Sequence, residues 1–180
     1  MIRLSLFLCA LAGLSTAEAT TLSRVSFEDL VQKSTGIVRG RIVGSYSDVR
    51  GSLIYTYYKV QVEDRWKGAA AAQVEVQIPG GTFGGQQQNY LGTPQLTEGA
   101  EYVFFLWTGP SGANHLLGLS QGILDVTRDG NGEVVLQGQA TDALVMDSAG
   151  RNTAAEPLRM KLSDFGTRVS GALKAGAKAK

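Results

Sequence analysis

Apolar and polar residues alternate with period two over much of residues 36–137, and that alternation predicts a β-rich fold. Over 36–46, Val38, Gly40, Ile42, Gly44 and Tyr46 share one face, while Arg39 and Arg41 share the other. The two glycines on the inner side permit the sharp bend that a small closed barrel requires. After turn residues 48–52, a second strand over 54–66 sets Ile54, Tyr58, Val60, Val62 and Trp66 against Lys59, Gln61, Glu63 and Arg65. Val74, Val76 and Ile78 alternate in a third, which Pro79-Gly80-Gly81 terminates. Residues 101–107 are apolar on both faces, as a covered central strand would be. Strands over 116–119, 123–127 and 133–137 complete the series, the last two joined by the turn Asp129-Gly130-Asn131-Gly132.

Two segments switch to helical spacing. Ser26, followed by Glu28 and Asp29, reads as the N-cap of a short helix ending near Ser34. Near the other end Ser163 can cap a helix with Phe165, Val169 and Leu173 at i, i+4 and i+8. Residues 80–94, with five glycines and Gln86-Gln87-Gln88-Asn89, lack periodicity and read as a loop, either functional or mobile. A polar linker follows from 139, and the lysines, alanines and glycine of 174–180 read as a disordered basic tail.

The N-terminus has a different pattern. Arg3, an apolar stretch over 4–14 and Ala17-Glu18-Ala19 before Thr20 have the order of a secretory signal peptide. The stretch is shorter than the roughly 20 residues a bilayer span needs. The expected organisation is a signal peptide over 1–19, a β-barrel domain over 20–138, a linker and packed C-terminal helix over 139–173, and the tail. Cleavage after Ala19 would leave a periplasmic or extracellular protein with no transmembrane segment.

Composition narrows the chemistry. The only cysteine, Cys9, lies in the leader, so the mature chain has no disulfide and no thiolate. A net charge of +1 gives no electrostatic case for a nucleic-acid partner. His115 is the one histidine; by itself it completes no zinc site, and it reads as an ordinary loop residue. Only it could serve as base for a nucleophile, and Ser111, Ser120 and Ser148 lie in no nucleophile-elbow pattern. Glu63 and Asp64 are adjacent on a strand, which points them to opposite faces and suits a solvated edge, not a glycosidase pair. Asp129-Gly130-Asn131-Gly132-Glu133 lacks the spacing of a calcium loop and reads as a turn. No cofactor is implied.

Recognition is the chemistry left. Tyr55 and Tyr57 project beside Lys59 and Arg65, opposite the expected core, where aromatics next to cations can anchor a partner; the competing reading is that a helix or loop covers them. Phe83, Gln87 and Tyr90 sit on the glycine-rich loop, where a rigid barrel could display them.

Three stretches also carry a family likeness: Gly36-Ile37-Val38-Arg39-Gly40-Arg41-Ile42-Val43; Tyr57 through Val60-Gln61-Val62-Glu63-Asp64-Arg65-Trp66-Lys67-Gly68; and Gly99-Ala100-Glu101-Tyr102-Val103-Phe104-Phe105-Leu106. In their order the chain resembles the netrin-like family, the OB-type barrel shared with tissue inhibitors of metalloproteinases, as found in exported bacterial proteins of unassigned function. The resemblance implies a small antiparallel barrel with a short N-terminal and a C-terminal helix. In the animal inhibitors it would also imply an N-terminal cysteine that chelates the protease zinc, and a disulfide framework. Here the expected first residue is Thr20 and no cysteine remains, so that mechanism transfers to no residue of this chain.

The leading expectation is an exported, non-enzymatic binding or interaction module. Its partner would be another exported protein and its contacts Tyr55, Tyr57, Phe83, Gln87 and Tyr90. The alternative is inhibition of a co-exported metalloprotease through the Thr20 amine. An enzyme acting through His115, and attraction of the basic tail to anionic envelope surfaces, are the remaining readings.

Overall fold

The computed structural model describes residues 21–153 and 158–178, so the signal-peptide assignment and Thr20 lie outside the described residues. In chain order the elements are β1 (Thr21–Ser23), α1 (Phe27–Lys33), β2 (Gly36–Arg50), β3 (Leu53–Lys67), β4 (Gln73–Pro79), β5 (Gly81–Phe83), β6 (Gln86–Gln88), β7 (Glu101–Thr108), β8 (Asn114–Leu116), β9 (Ile123–Arg128), β10 (Val134–Gly138), β11 (Leu144–Met146), β12 (Arg159–Lys161) and α2 (Leu162–Lys178). The fold is mainly β: a small barrel with a short N-terminal helix and a C-terminal helix, as the alternation predicts.

One eight-stranded sheet runs β12-β10-β9-β7-β2-β3-β4-β8, and β8 also pairs with β7. That last pairing closes β7, β2, β3, β4 and β8 into a five-stranded ring. Its contacts are antiparallel except β4 with β8, which is parallel. Closure leaves the ring without a free edge of its own, and β12 ends the sheet on the branch that runs through β9 and β10.

Strand β7 divides the core. Tyr102, Phe104 and Leu106 face one cluster with Val38, Ile42, Val60, Val76 and Ile78, the filling of the ring. Val103 and Phe105 face a second cluster, built with Leu30, Val31, Phe165 and Val169 of the two helices. A strand buried on both sides must be apolar at every position, which is what 102–106 show.

Helix α1 begins where local chemistry directs it, whereas α2 starts at Leu162, so Ser163, expected as its cap, lies inside the helix with its Oγ donating to Asp164 Oδ1 at 3.4 Å. Ser26 caps α1, its Oγ accepting from Asp29 N at 3.0 Å, and Lys67 Nζ donates to the C-terminal carbonyls of Val31 and Gln32 at 2.7 and 3.0 Å. Phe165, Val169 and Ala172 are buried along α2, with Leu173 packed beside them. Gln32 Nε2 donates to Ala172 O at 2.5 Å, tying the helices together.

Several boundaries differ from the expectation. Strand β2 continues past Tyr46 to Arg50, so the turn narrows to Gly51 and Ser52. The strand expected over 116–119 is β8, two residues earlier, followed by a 3-10 turn at Leu119–Gly122. The polar linker contains β11, paired in parallel with β1, and β12, paired with β10. The basic segment expected to be disordered is helical through Lys178, because it continues a helix already docked by its apolar stripe. The 80–94 loop contains the β5–β6 hairpin, turned by Gly84 and Gly85 at φ +58° and +79°, a left-handed pair suited to a two-residue hairpin turn. Gln88 holds it in place: Oε1 accepts from Ile54 N at 2.7 Å and Nε2 donates to Ser52 O at 2.9 Å.

Candidate functional site

Register shifts decide which side chains reach the outer wall of the ring. Between Ile42 and Gly44, β2 advances two residues while β3 advances one, from Val60 to Lys59. Val43 is therefore extra, 52% exposed, and every later residue of β2 changes face. Tyr46, expected on the inner face, lies outside against Tyr57. A second shift leaves Glu63 extra between Val62 and Asp64. Glu63 and Asp64 consequently meet the same guanidinium instead of pointing apart: Arg39 is 3.3 Å from Glu63 Oε2 and 2.8 Å from Asp64 Oδ2. Both carboxylates are occupied by an ion-pair network that also joins Arg41 to Glu101.

Outside the ring, cross-strand partners form one continuous row. Tyr46 pairs with Tyr57, Tyr57 with Gln77, Gln77 with His115 and His115 with Trp107, one residue from each of the five ring strands. Four inter-strand steps of about 4.8 Å give the row a contour of about 19 Å around the ring. Tyr46 and Trp107, its two ends, are each 44% exposed. The Tyr46 and Tyr57 rings stack at 4.9 Å and 10°, and Trp107 lies 5.9 Å from His115 at 39°. Cations and a carboxylate border the aromatics. Lys59 Nζ is 5.7 Å from the Tyr46 ring centroid, Arg50 Cζ is 6.0 Å from that of Tyr57, and Tyr46 OH donates to Glu75 Oε2 at 3.1 Å.

The middle of the row holds an unsatisfied group. Gln77 is 4% exposed, yet its Oε1 has no hydrogen-bond partner among the described residues. A buried acceptor left unpaired costs about 1–3 kcal/mol, so this position stores a small local penalty beneath the row.

Electrostatics set the state of His115. Partial burial, and secondarily the Arg50 guanidinium, hold its imidazole below the ordinary range. The folded chain resists a proton that the unfolded chain accepts near pH 6.5, so the stabilising difference is complete above that pH and is lost as pH falls through the folded value. Because His115 is the only histidine, unfolding free energy should decline from pH 7 to pH 5 in the wild type and stay nearly level in His115→Gln. Urea midpoints at the two pH values check this; parallel slopes in both proteins would show that the imidazole is not desolvated.

The five contacts expected from sequence are divided by the fold. Tyr55 and Tyr57 lie on the outer wall, but Tyr57 is only 5% exposed, covered by Tyr46 and Arg50; as a directly exposed contact it is corrected to a buried support. Phe83 and Gln87 are exposed on the β5–β6 hairpin, which crosses the opposite face of β2 and β3 over Ile54 and Thr56. Tyr90 is half-buried beside that hairpin, its OH donating to Gln88 Oε1 at 3.2 Å. Tyr46, Gln77 and Trp107 are the residues sequence reasoning missed, and His115 is a strand residue of the row instead of a loop residue. The turn at 129–132 does close on itself, Asp129 Oδ1 accepting from Asn131 N and Glu133 N at 2.9 and 3.0 Å.

Among the described residues no cluster of His, Cys, Asp or Glu is placed to hold a metal ion, and no helix is long and apolar enough to cross a membrane. No family model matches the chain and neither does any curated protein, so the functional reading rests on this geometry.

Proposed function

We propose that the protein is an exported, non-enzymatic binding module that uses the Tyr46–Trp107 row on a netrin-like barrel to hold another exported protein. The observation that carries this reading is the row itself: two exposed aromatic ends around a buried, unpaired Gln77 acceptor. Exposed Tyr and Trp give large contact area at low entropic cost, and interface hot spots are enriched in Tyr, Trp and Arg. His115 packs on Trp107, and burial and Arg50 disfavour its protonation.

The test is affinity with a purified partner. Proteins recovered from envelope or secreted extract by the wild type would be purified and titrated against wild type, Trp107→Ala and Tyr46→Ala. Each truncation should weaken binding by about 30-fold, the equivalent of about 2 kcal/mol for a hot spot. Both positions are half in solvent, so the fold should survive, and thermal melts confirm it. Equal dissociation constants for all three proteins would remove the row from the interface.

A further inference from the structure

A second site, sharing no residue with the row, lies where the two helices meet the far end of the sheet. A cavity of about 510 Å³ opens there, within the range of small-molecule sites. Val25, Phe27, Leu30, Leu124 and Leu158 give it an apolar lining. Three arginines from distant parts of the chain converge on it: Arg24 after β1, Arg159 in β12 and Arg168 in α2. Among the described residues one carboxylate, Glu28, lines it with them.

Arg159 and Arg168 are held in place without being neutralised one for one among the described residues, whereas Arg24 also acts on the Asp147 carboxylate outside the lining. Arg168 Cζ sits 4.2 Å from the Phe27 ring centroid and its Nη2 is 3.7 Å from Glu28 Oε1, a long contact. Arg159 Nη1 donates to the neutral Gln137 Oε1 at 2.8 Å, which orients the guanidinium and leaves its charge available. Ser120, also in the lining, is 1% exposed with an Oγ that has no hydrogen-bond partner among the described residues. An excess of guanidinium over carboxylate beside an apolar surface, with a buried hydroxyl lacking a partner, matches a ligand that has an anionic head and an apolar body.

We infer that this cavity binds a small amphiphilic carboxylate, with its apolar body on the lining of Phe27, Leu30 and Leu124 and its head among Arg24, Arg159 and Arg168. A planar carboxylate fits the guanidinium fork, and the apolar body gains by leaving water.

Calorimetric titration of the full chain at pH 7 with octanoate, octanamide and inorganic phosphate separates the contributions. Octanoate should bind saturably at one site, with octanamide and phosphate each at least tenfold weaker, because one lacks the charge and the other the apolar body. Arg159→Gln and Arg168→Gln should each weaken octanoate at least fivefold and leave octanamide within twofold. Arg168 also covers Phe27, so its variant could lose structure; Arg159 is exposed, its variant should keep the wild-type melting temperature, and it decides the point alone. No saturable octanoate binding, octanamide as tight as octanoate, or unchanged octanoate affinity in Arg159→Gln would each overturn the assignment.

Discussion

Phe165→Ala should lower the unfolding free energy by about 3–5 kcal/mol, the range for truncating a fully buried phenylalanine. Phe165 is 0% exposed and is the point where α2 meets three other elements: its ring lies 4.6 Å from Trp66 of β3 and 6.0 Å from both Phe27 of α1 and Phe105 of β7, all edge-on. Edge-to-face pairs add about 0.5–1.5 kcal/mol each beyond burial, so the loss should fall at the upper end of the range. In a chain of this length each kcal/mol moves the melting temperature by about 2–4 °C, which gives a fall of about 10 °C or more. Urea unfolding of Phe165→Ala beside Phe83→Ala makes the comparison, since Phe83 is 44% exposed on the hairpin and its loss should cost under about 0.5 kcal/mol. Equal midpoints would mean that α2 does not hold the helical cluster together. Where α2 is loosened, octanoate binding near Arg168 should weaken with it, while the aromatic row, which has no α2 residue, should keep its affinity.

That contrast follows from how differently the two regions are encoded. The helical cluster is legible because its signals are local: a serine cap at Ser26, apolar residues at helical spacing in α2, and a strand at 102–106 apolar on both faces. The turn at 129–132 is legible for the same reason, since one aspartate satisfies two backbone donors within four residues. The row depends on pairings between residues far apart in sequence. Period two read along β2 puts Tyr46 with Val38 and Ile42, and nothing near Val43 announces the extra residue that reverses the face. Gln77 reads as a polar residue on the solvent side of β4; its cross-strand neighbours Tyr57 and His115, each delivered by another strand, flank it where it is buried. The hairpin over 81–88 and the three-residue strands β11 and β12 are too short for periodicity to mark, and their partners β1 and β10 and the side chain of Gln88 fix them. At Tyr57 the ring is covered, as the competing reading has it, but by Tyr46 and Arg50 of β2 and not by a helix or loop.

The bend that makes the ring possible can be tested at one position against a neighbour. Both Gly40 and Gly44 fall on the same side of the strand pattern, and sequence alone gives them the same role. Their surroundings differ. A Cβ built on Gly40 would collide with the backbone oxygen of Gln61 and lie 2.6 Å from Val60 Cγ1, whereas one on Gly44 would meet nothing within 4 Å. Gly40 sits where β2 passes between the Glu63 and Val43 irregularities and the two strands are pressed together, so an added methyl must displace main chain and not a side-chain tip. Gly40→Ala should therefore cost about 3 kcal/mol, the upper end for overpacking, and lower the melting temperature by about 6–12 °C. Gly44→Ala should be neutral or stabilise by a few tenths of a kcal/mol, because alanine lowers the entropy of the unfolded chain where the native backbone accepts it. Thermal melts of the two variants decide the matter: equal shifts would mean that close strand contact at Gly40 does not shape the bend. Retention of partner affinity by Gly44→Ala, two residues from Tyr46, would show further that the face reversal at Val43 is set by strand pairing and does not need a glycine after it.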